Sequence, residues 1–340
     1  MQVDNHTGMQ HILESHPYIQ EVLSLEKQYT DRKTFHKKAE HLLAKMGADD
    51  VFLKLVLKRN FEDKGFLDQK WSLYNIPFFY IYETADFYLK IHFFPSMKQY
   101  VQGTAAHCIH HHNNYILTTA AIFGSGYETL LFDKHVEIDP KTLDARLKIT
   151  KHFTQQEHPI HCIDAWEPHL VFNPEKFSAT LQLWTPDQKR VTDNLRVNPF
   201  LKAIKNPLRK LIYLFGMEKQ FGIASQKTYQ WYPSGDHFKA IEENDYFEPT
   251  RNAVGPDVNT YSFQTISYFI QQRQLVDPDF LNKILANPAT PEYYKPFLRD
   301  LIEGKPIEET FCKEAINIPQ KTYMLAVSYT HLTLPTKRIV

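Results

Sequence analysis

Glycine is scarce in this 340-residue chain, at 11 residues. Nucleotide folds that cradle phosphates need glycine-rich loops, and neither G-x-G-x-x-G nor a Walker A sequence occurs. Cysteine is scarcer still: Cys108, Cys162 and Cys312. An odd count without regular spacing is no disulfide framework and points to a reducing compartment with buried, inert thiols. Net charge is absent as well, with Lys+Arg and Asp+Glu both at 39. That balance argues against a broad nucleic-acid footprint and against a polybasic membrane anchor. No window approaches the ~20 apolar residues of a membrane span, and the opening MQVDNHTGMQH holds no apolar signal core. The expectation is a cytoplasmic protein with neither nucleic acid nor membrane as partner.

What the chain has in quantity is histidine, 17 residues, and aromatics, 14%. The hydrophobic share of 43% against 23% charged is that of a globular protein that needs no disulfide staples.

Three textures follow one another. Residues 1–74 read as helical: Ile12, Leu13, Ile19, Val22, Leu23 and Leu25 recur near helical spacing, with Pro17 breaking or restarting the helix. A second helix is expected from about Asp31 to Met46, stopping at Gly47. From about residue 75 to 190, short runs such as IPFFYIYE, ILTTAAIF, YETLLF, HLVF and SATLQLW alternate with turn residues, as in a sandwich or small barrel. Residues 191–327 return to a largely helical pattern. Gln230 to Val258 reads as loop, with a turn at Pro233-Ser234-Gly235-Asp236. Thr290-Pro291-Glu292 reads as a helix start with Thr290 as cap and Gly304 as stop. Leu201 to Arg209 is a basic helix, most simply a solvated face. The final SYTHLTLPTKRIV, residues 328–340, does not continue the preceding pattern and resembles a translated adapter, so it is set aside. The fold class expected is α+β: a small antiparallel β-barrel flanked by N- and C-terminal helices.

The informative window runs from Gly103 to Gly124, GTAAHCIHHHNNYILTTAAIFG. On a strand, His110 and His112 share a face and His111 points away. Two imidazoles on one face make half a metal site. The third ligand must come from another strand, and His169 in WEPHLVFN is the best candidate. His107 is an alternative if the register differs. His158 and His161, divided by Pro159, suit a loop or barrel mouth better than one strand face. Cys108 and Cys162 lack the tight knuckle spacing of structural zinc. Gly124-Ser125-Gly126 is not the G-x-S-x-G elbow of a hydrolase.

The window resembles the first motif of the cupin superfamily, a glycine followed by H-x-H, then a glutamate and a glycine. His169 with Asn173 resembles the H-x-x-x-N of the second. The resemblance covers roughly residues 80–187 and implies a jelly-roll barrel holding a divalent metal, Fe(II) or another, with His110, His112 and His169. The glutamate of many cupins would fall at Ile116 or Leu117, which cannot bind metal. A three-histidine site without carboxylate is similar to that of the cysteine and other thiol dioxygenases. Their second-motif Ser, His and Tyr correspond here to Thr180, Gln182 and Trp184, so cysteine itself is a doubtful substrate. Such a site leaves open positions for a small-molecule substrate and O₂. Asn113, Glu128 and Asp164 are the candidates for orienting the imidazoles. The rivals are a cupin without redox chemistry and a metal-free binding or interaction module whose helices are the working surface. The helical extensions could cover the barrel mouth, form a homodimer interface or make a separate domain.

Overall fold

The computed structural model describes residues 13–69, 71, 76–84, 86–96, 108–188, 226–232, 237–241 and 256–310, with the side chains of 108–112, 226, 228, 230–232, 237, 241, 256 and 257 outside the description. The basic helix expected at 201–209, His107, Cys312 and the final 13 residues therefore lie outside the described residues. The chain combines helices with antiparallel sheets.

The N-terminal helices begin where side chains can take up orphan backbone donors. Helix α1 (Pro17–Gln28) restarts at Pro17, with His16 Nδ1 accepting from the Tyr18 N–H at 3.2 Å. Helix α2 (Arg32–Ala48) is capped by Asp31, whose carboxylate accepts from the Thr34 N–H at 2.8 Å. Asp49 caps α3 (Asp50–Glu62), and Asp63 caps the single turn α4 (Lys64–Leu67). Near the other end come α5 (Pro256–Gln272), α6 (Pro278–Ala286) and, after a 3₁₀ turn at Glu292–Tyr294, α7 (Lys295–Glu303). Gly304 ends α7 with φ +67°, as a left-handed stop should. Thr290 is not the cap expected of it: its hydroxyl donates to the Ile284 carbonyl at 2.6 Å and closes the preceding helix.

Thirteen strands are described: β1 (Phe78–Glu83), β2 (Tyr88–Phe94), β3 (Cys108–Asn113), β4 (Tyr115–Phe123), β5 (Glu128–Phe132), β6 (Glu137–Ile138), β7 (Asp144–Arg146), β8 (Ile149–Thr154), β9 (Ile160–Ile163), β10 (His169–Phe172), β11 (Ser178–Pro186), β12 (Gln226–Tyr232) and β13 (His237–Ile241). They form three antiparallel sheets, ordered β1-β2-β11-β4-β9, β10-β5-β8 and β3-β12-β13-β7-β6. The β region thus reaches past residue 190. β12 and β13 lie within a stretch that reads in part as loop, and they pair with β3 and β7.

The expected barrel is not closed among the described residues: no hydrogen-bonded ladder joins one sheet to another. The edges of the first sheet are dealt with in other ways. At β1, where the register shifts between Tyr80 and Tyr82, Asn60 of α3 bonds both the N–H (2.9 Å) and the carbonyl (2.7 Å) of Tyr80. A helix side chain occupies the position a further strand would take. At β9 the strand starts only after Pro159, which has no N–H to donate.

The core divides by layer. One face of the first sheet, with Phe79, Leu89, Ile91, Phe93, Leu181 and Leu183, packs on the helices. Its opposite face meets the three-stranded sheet through Leu117, Ile163, Trp184, Leu131 and Phe153. The far side of that small sheet, with Leu130, Phe132, Leu170 and Phe172, packs on Tyr229 and Phe238 of the third. Each fully buried side chain of this size contributes roughly 1.5–3 kcal/mol. Arg32 is buried with Glu26 (3.1 Å) and Asp86 (3.0 Å), fastening α2 to the turn after β1.

Candidate metal centre and the face between the sheets

His169 opens β10 and is buried, 3% exposed. Its Nδ1 lies 3.1 Å from the Glu167 carbonyl oxygen. A carbonyl only accepts, so Nδ1 carries a proton, and in the neutral ring the lone pair then sits on Nε2. A backbone carbonyl fixing the tautomer in this way is the usual support of a metal-ligating imidazole. His169 pairs with Leu131, so it shares the face that looks toward the first sheet.

β3 carries His110 and His112, whose side chains lie outside the described residues. Its backbone can be placed: β3 and β10 approach within 8 Å between Cα atoms. A direct bond locks the two segments, from the Trp166 N–H to the carbonyl of Asn113, at 2.6 Å. Asn113 follows His112, and Trp166 precedes His169 by three residues. Trp166 holds φ +59°, a conformation that costs a bulky residue energy and persists only when its surroundings enforce it. Those surroundings include the Asp164 N–H on the Glu167 carboxylate (3.0 Å) and the Phe132 N–H on the Pro168 carbonyl (2.8 Å). Among the described residues no group of three metal-binding side chains converges.

The three residues suggested as orienting partners make the following contacts among the described residues. Asn113 Oδ1 accepts from the Tyr115 N–H at 3.1 Å, at the point where the chain crosses from one sheet to another. Glu128 alternates onto the face of β5 away from Leu131 and pairs with His152 at 2.6 Å. Asp164 binds Lys33 (2.7 Å) and Lys134; burial pushes its carboxyl up, but the two ammoniums outweigh this and the net shift is down. Asn173 donates to the Pro95 carbonyl at 3.1 Å, stapling the β10–β11 turn to the end of β2.

The first sheet presents a row of polar side chains on its inner face. Tyr80, Lys90, Gln182, Thr119 and His161 are in register across β1, β2, β11, β4 and β9. The Lys90 ammonium lies over the rings of Phe78, Tyr80 and Tyr88, 4.5, 4.7 and 5.0 Å from their centroids. Thr180, Gln182 and Trp184 share one pleat, as expected. They form a ladder in which Trp184 Nε1–H donates to Gln182 Oε1 (3.0 Å) and Gln182 Nε2–H donates to Thr180 Oγ1 (3.3 Å). Trp184 stacks on Tyr88, with centroids 5.8 Å apart.

His161 departs from expectation. It is neither in a loop nor at an open mouth but in β9, 8% exposed, edge-on to Phe153 at 4.4 Å and to Tyr127 at 5.8 Å. Burial pulls its pKa down to about 3. His158, by contrast, is exposed. Cys162 is exposed on the same edge strand rather than buried. The row of Lys90, Thr119 and His161 has no signature in a single sequence, because it arises from cross-strand register.

No family model matches the chain, and no curated protein does. Among solved structures it is similar to CapF, crystallised with the inhibitor 3-isopropenyl-tropolone, at 14% identity and a TM-score of 0.19. The match covers 33% of this chain and 29% of CapF. Superposition at that level carries no statement about function.

Proposed function

We propose that the chain is a metal-dependent oxygenase of the cupin type, in which His110, His112 and His169 hold Fe(II) and a small molecule reacts with O₂. The observation that carries this reading is the Trp166–Asn113 bond, which ties the segment entering His169 to the residue after His112. The His169 tautomer supports it, since a neutral imidazole with its lone pair on Nε2 is the donor a metal requires. Bound Fe(II) would supply redox chemistry toward O₂ and open positions for substrate.

The remaining residues position rather than titrate. The Thr180–Gln182–Trp184 ladder is neutral and internally bonded, so it shapes the inner face without moving protons. Leu117 belongs to the apolar cluster between the sheets and Ile116 is buried on the opposite pleat, so neither supplies a carboxylate. A purely imidazole ligand set favours an anionic, metal-seeking substrate such as a small thiol, and thiol dioxygenation is the subclass we favour.

The test is oxygen uptake by the full chain reconstituted with Fe(II), over a panel of small thiols (cysteine, cysteamine, 3-mercaptopropionate). Iron-dependent uptake that falls to background in His169→Ala is expected. A chain that retains no iron and consumes no oxygen with any thiol would exclude the thiol chemistry and favour a metal-free binding module.

A further inference from the structure

After α7 the chain runs back along α5 as a strap, residues 305–310. Side chains, not a neighbouring strand, meet its backbone. The Gln271 amide works in both directions: Nε2–H donates to the Lys305 carbonyl at 2.7 Å, and Oε1 accepts from the Ile307 N–H at 2.8 Å. Gln264, two turns earlier on α5, donates from Nε2–H to the Glu308 carbonyl at 3.0 Å. Those two glutamines stand ~10 Å apart along the helix, which three residues of extended chain match. Ser96, just past β2, donates from Oγ to the Thr310 carbonyl at 3.2 Å. Main-chain bonds of this kind hold an extended segment whatever its sequence.

Three side chains supply the sequence dependence. Ile307 is buried in the main core, 6% exposed. The Glu309 carboxylate accepts the Phe177 N–H at 2.6 Å, one residue ahead of β11. The buried Thr310 hydroxyl lies 2.7 Å from that of Thr265. Thr265 spends its own proton on the Tyr261 carbonyl at 2.9 Å, so Thr310 is the donor.

The strap is lightly held. Lys305, Pro306 and Glu308 are exposed, and Ile307 is its single apolar side chain in the core. A cleft of about 510 Å³, bordered by Gln271, Leu301 and Pro306, opens where it enters. Segments with so little buried apolar contact open before the rest of a fold.

We infer that the channel along α5 is a peptide-recognition groove, held closed in cis by residues 305–310. The partner it fits is an extended peptide with an apolar residue, a carboxylate two positions on, and a hydroxyl next to that. Tethering gives the strap an effective concentration that a free peptide has to overcome, so the groove answers once the strap is out. Recognition uses none of the three proposed iron ligands.

The experiment replaces residues 305–310 of the full chain with alternating Gly and Ser and titrates it with a fluorescent peptide of residues 304–310, GKPIEET. Saturable binding is expected by anisotropy, weakened about tenfold or more when the peptide carries Glu309→Lys. A folded Gly-Ser chain that ignores the peptide, or binds the Glu309→Lys peptide equally well, would overturn the proposal. Hydrogen exchange on the unaltered chain is an independent reading. The Ile307 N–H should be less protected than the Phe269 N–H inside α5. Equal protection of the two would mean that the strap opens only with the whole fold, and would overturn the proposal whether or not the Gly-Ser chain folds.

Discussion

The backbone N–H of Trp166 donates to the carbonyl oxygen of Asn113 across 2.6 Å, joining two segments more than 50 residues apart in sequence. One segment ends the strand of His110 and His112, and the other leads into His169. The bond holds Trp166 at φ +59° and so fixes the turn whose Glu167 carbonyl orients the His169 ring. The metal-free protein should therefore already show His169 in a single tautomer. In ¹⁵N spectra of the neutral ring, Nδ1 is expected to carry the proton; a neutral ring protonated on Nε2 instead would contradict the arrangement.

Acid should destabilise this protein early. His36, on α2, lies between the Thr118 and Thr185 hydroxyls at 2.7 and 2.9 Å and is fully buried. Burial, helped by nearby Arg32, brings its pKa from 6.5 to about 3. His161 is lowered to about the same value by burial. The unfolded chain then binds more protons than the folded one below pH 6.5. Their contribution is complete above that value and is lost as pH falls from 6.5 toward 3. The slope should be about 1.4 kcal/mol per pH unit for each histidine. Urea titrations between pH 7 and 4 should show it, and His36→Gln should flatten it by about half.

Gly47 should resist the usual rule that alanine stabilises a helix. A Cβ at this position would lie 2.2 Å from Ile122 Cγ2, where α2 packs on the end of β4. Gly47→Ala is expected to cost ~1–3 kcal/mol through overpacking, against a gain of ~1 kcal/mol at an open helical site. In an Ile122→Ala background the same change should become neutral or stabilising, as equilibrium unfolding of the four variants would show.

Much of this architecture is readable in the residues. Pro17, Asp31 and Gly304 mark helix ends because capping is local chemistry between neighbours in sequence. The runs that become β4, β5, β10 and β11 announce themselves by apolar content bounded by turns. Long-range facts are another matter. Nothing local shows that β12 and β13 join β3, that Asn60 covers the edge at Tyr80, or that Thr290 closes α6 instead of opening the next helix. At the candidate site, His169 could be chosen by its spacing. Its Glu167 contact, the diversion of Glu128 to His152 and the burial of His161 depend on register and on turns that only the fold determines.

Breaking the buried cluster at Arg32 should be costly. Its guanidinium lies between Glu26 and Asp86 and is 2% exposed. Arg32→Met removes the cation and is expected to cost ~3–5 kcal/mol, as for other buried pairs deprived of one partner. Adding Glu26→Leu should recover part of that loss. Unfolding midpoints of the single and double variants give the comparison.

The central claim is the ligand set, and X-ray absorption of the iron-loaded full chain addresses it most directly. The expected spectrum shows imidazole scattering at about 2.0–2.2 Å with no sulfur shell, the typical metal–nitrogen distance, and His169→Ala should lose the bound iron. A sulfur shell at about 2.3 Å, marking ligation by Cys108 or Cys162, or full iron occupancy in His169→Ala, would contradict it.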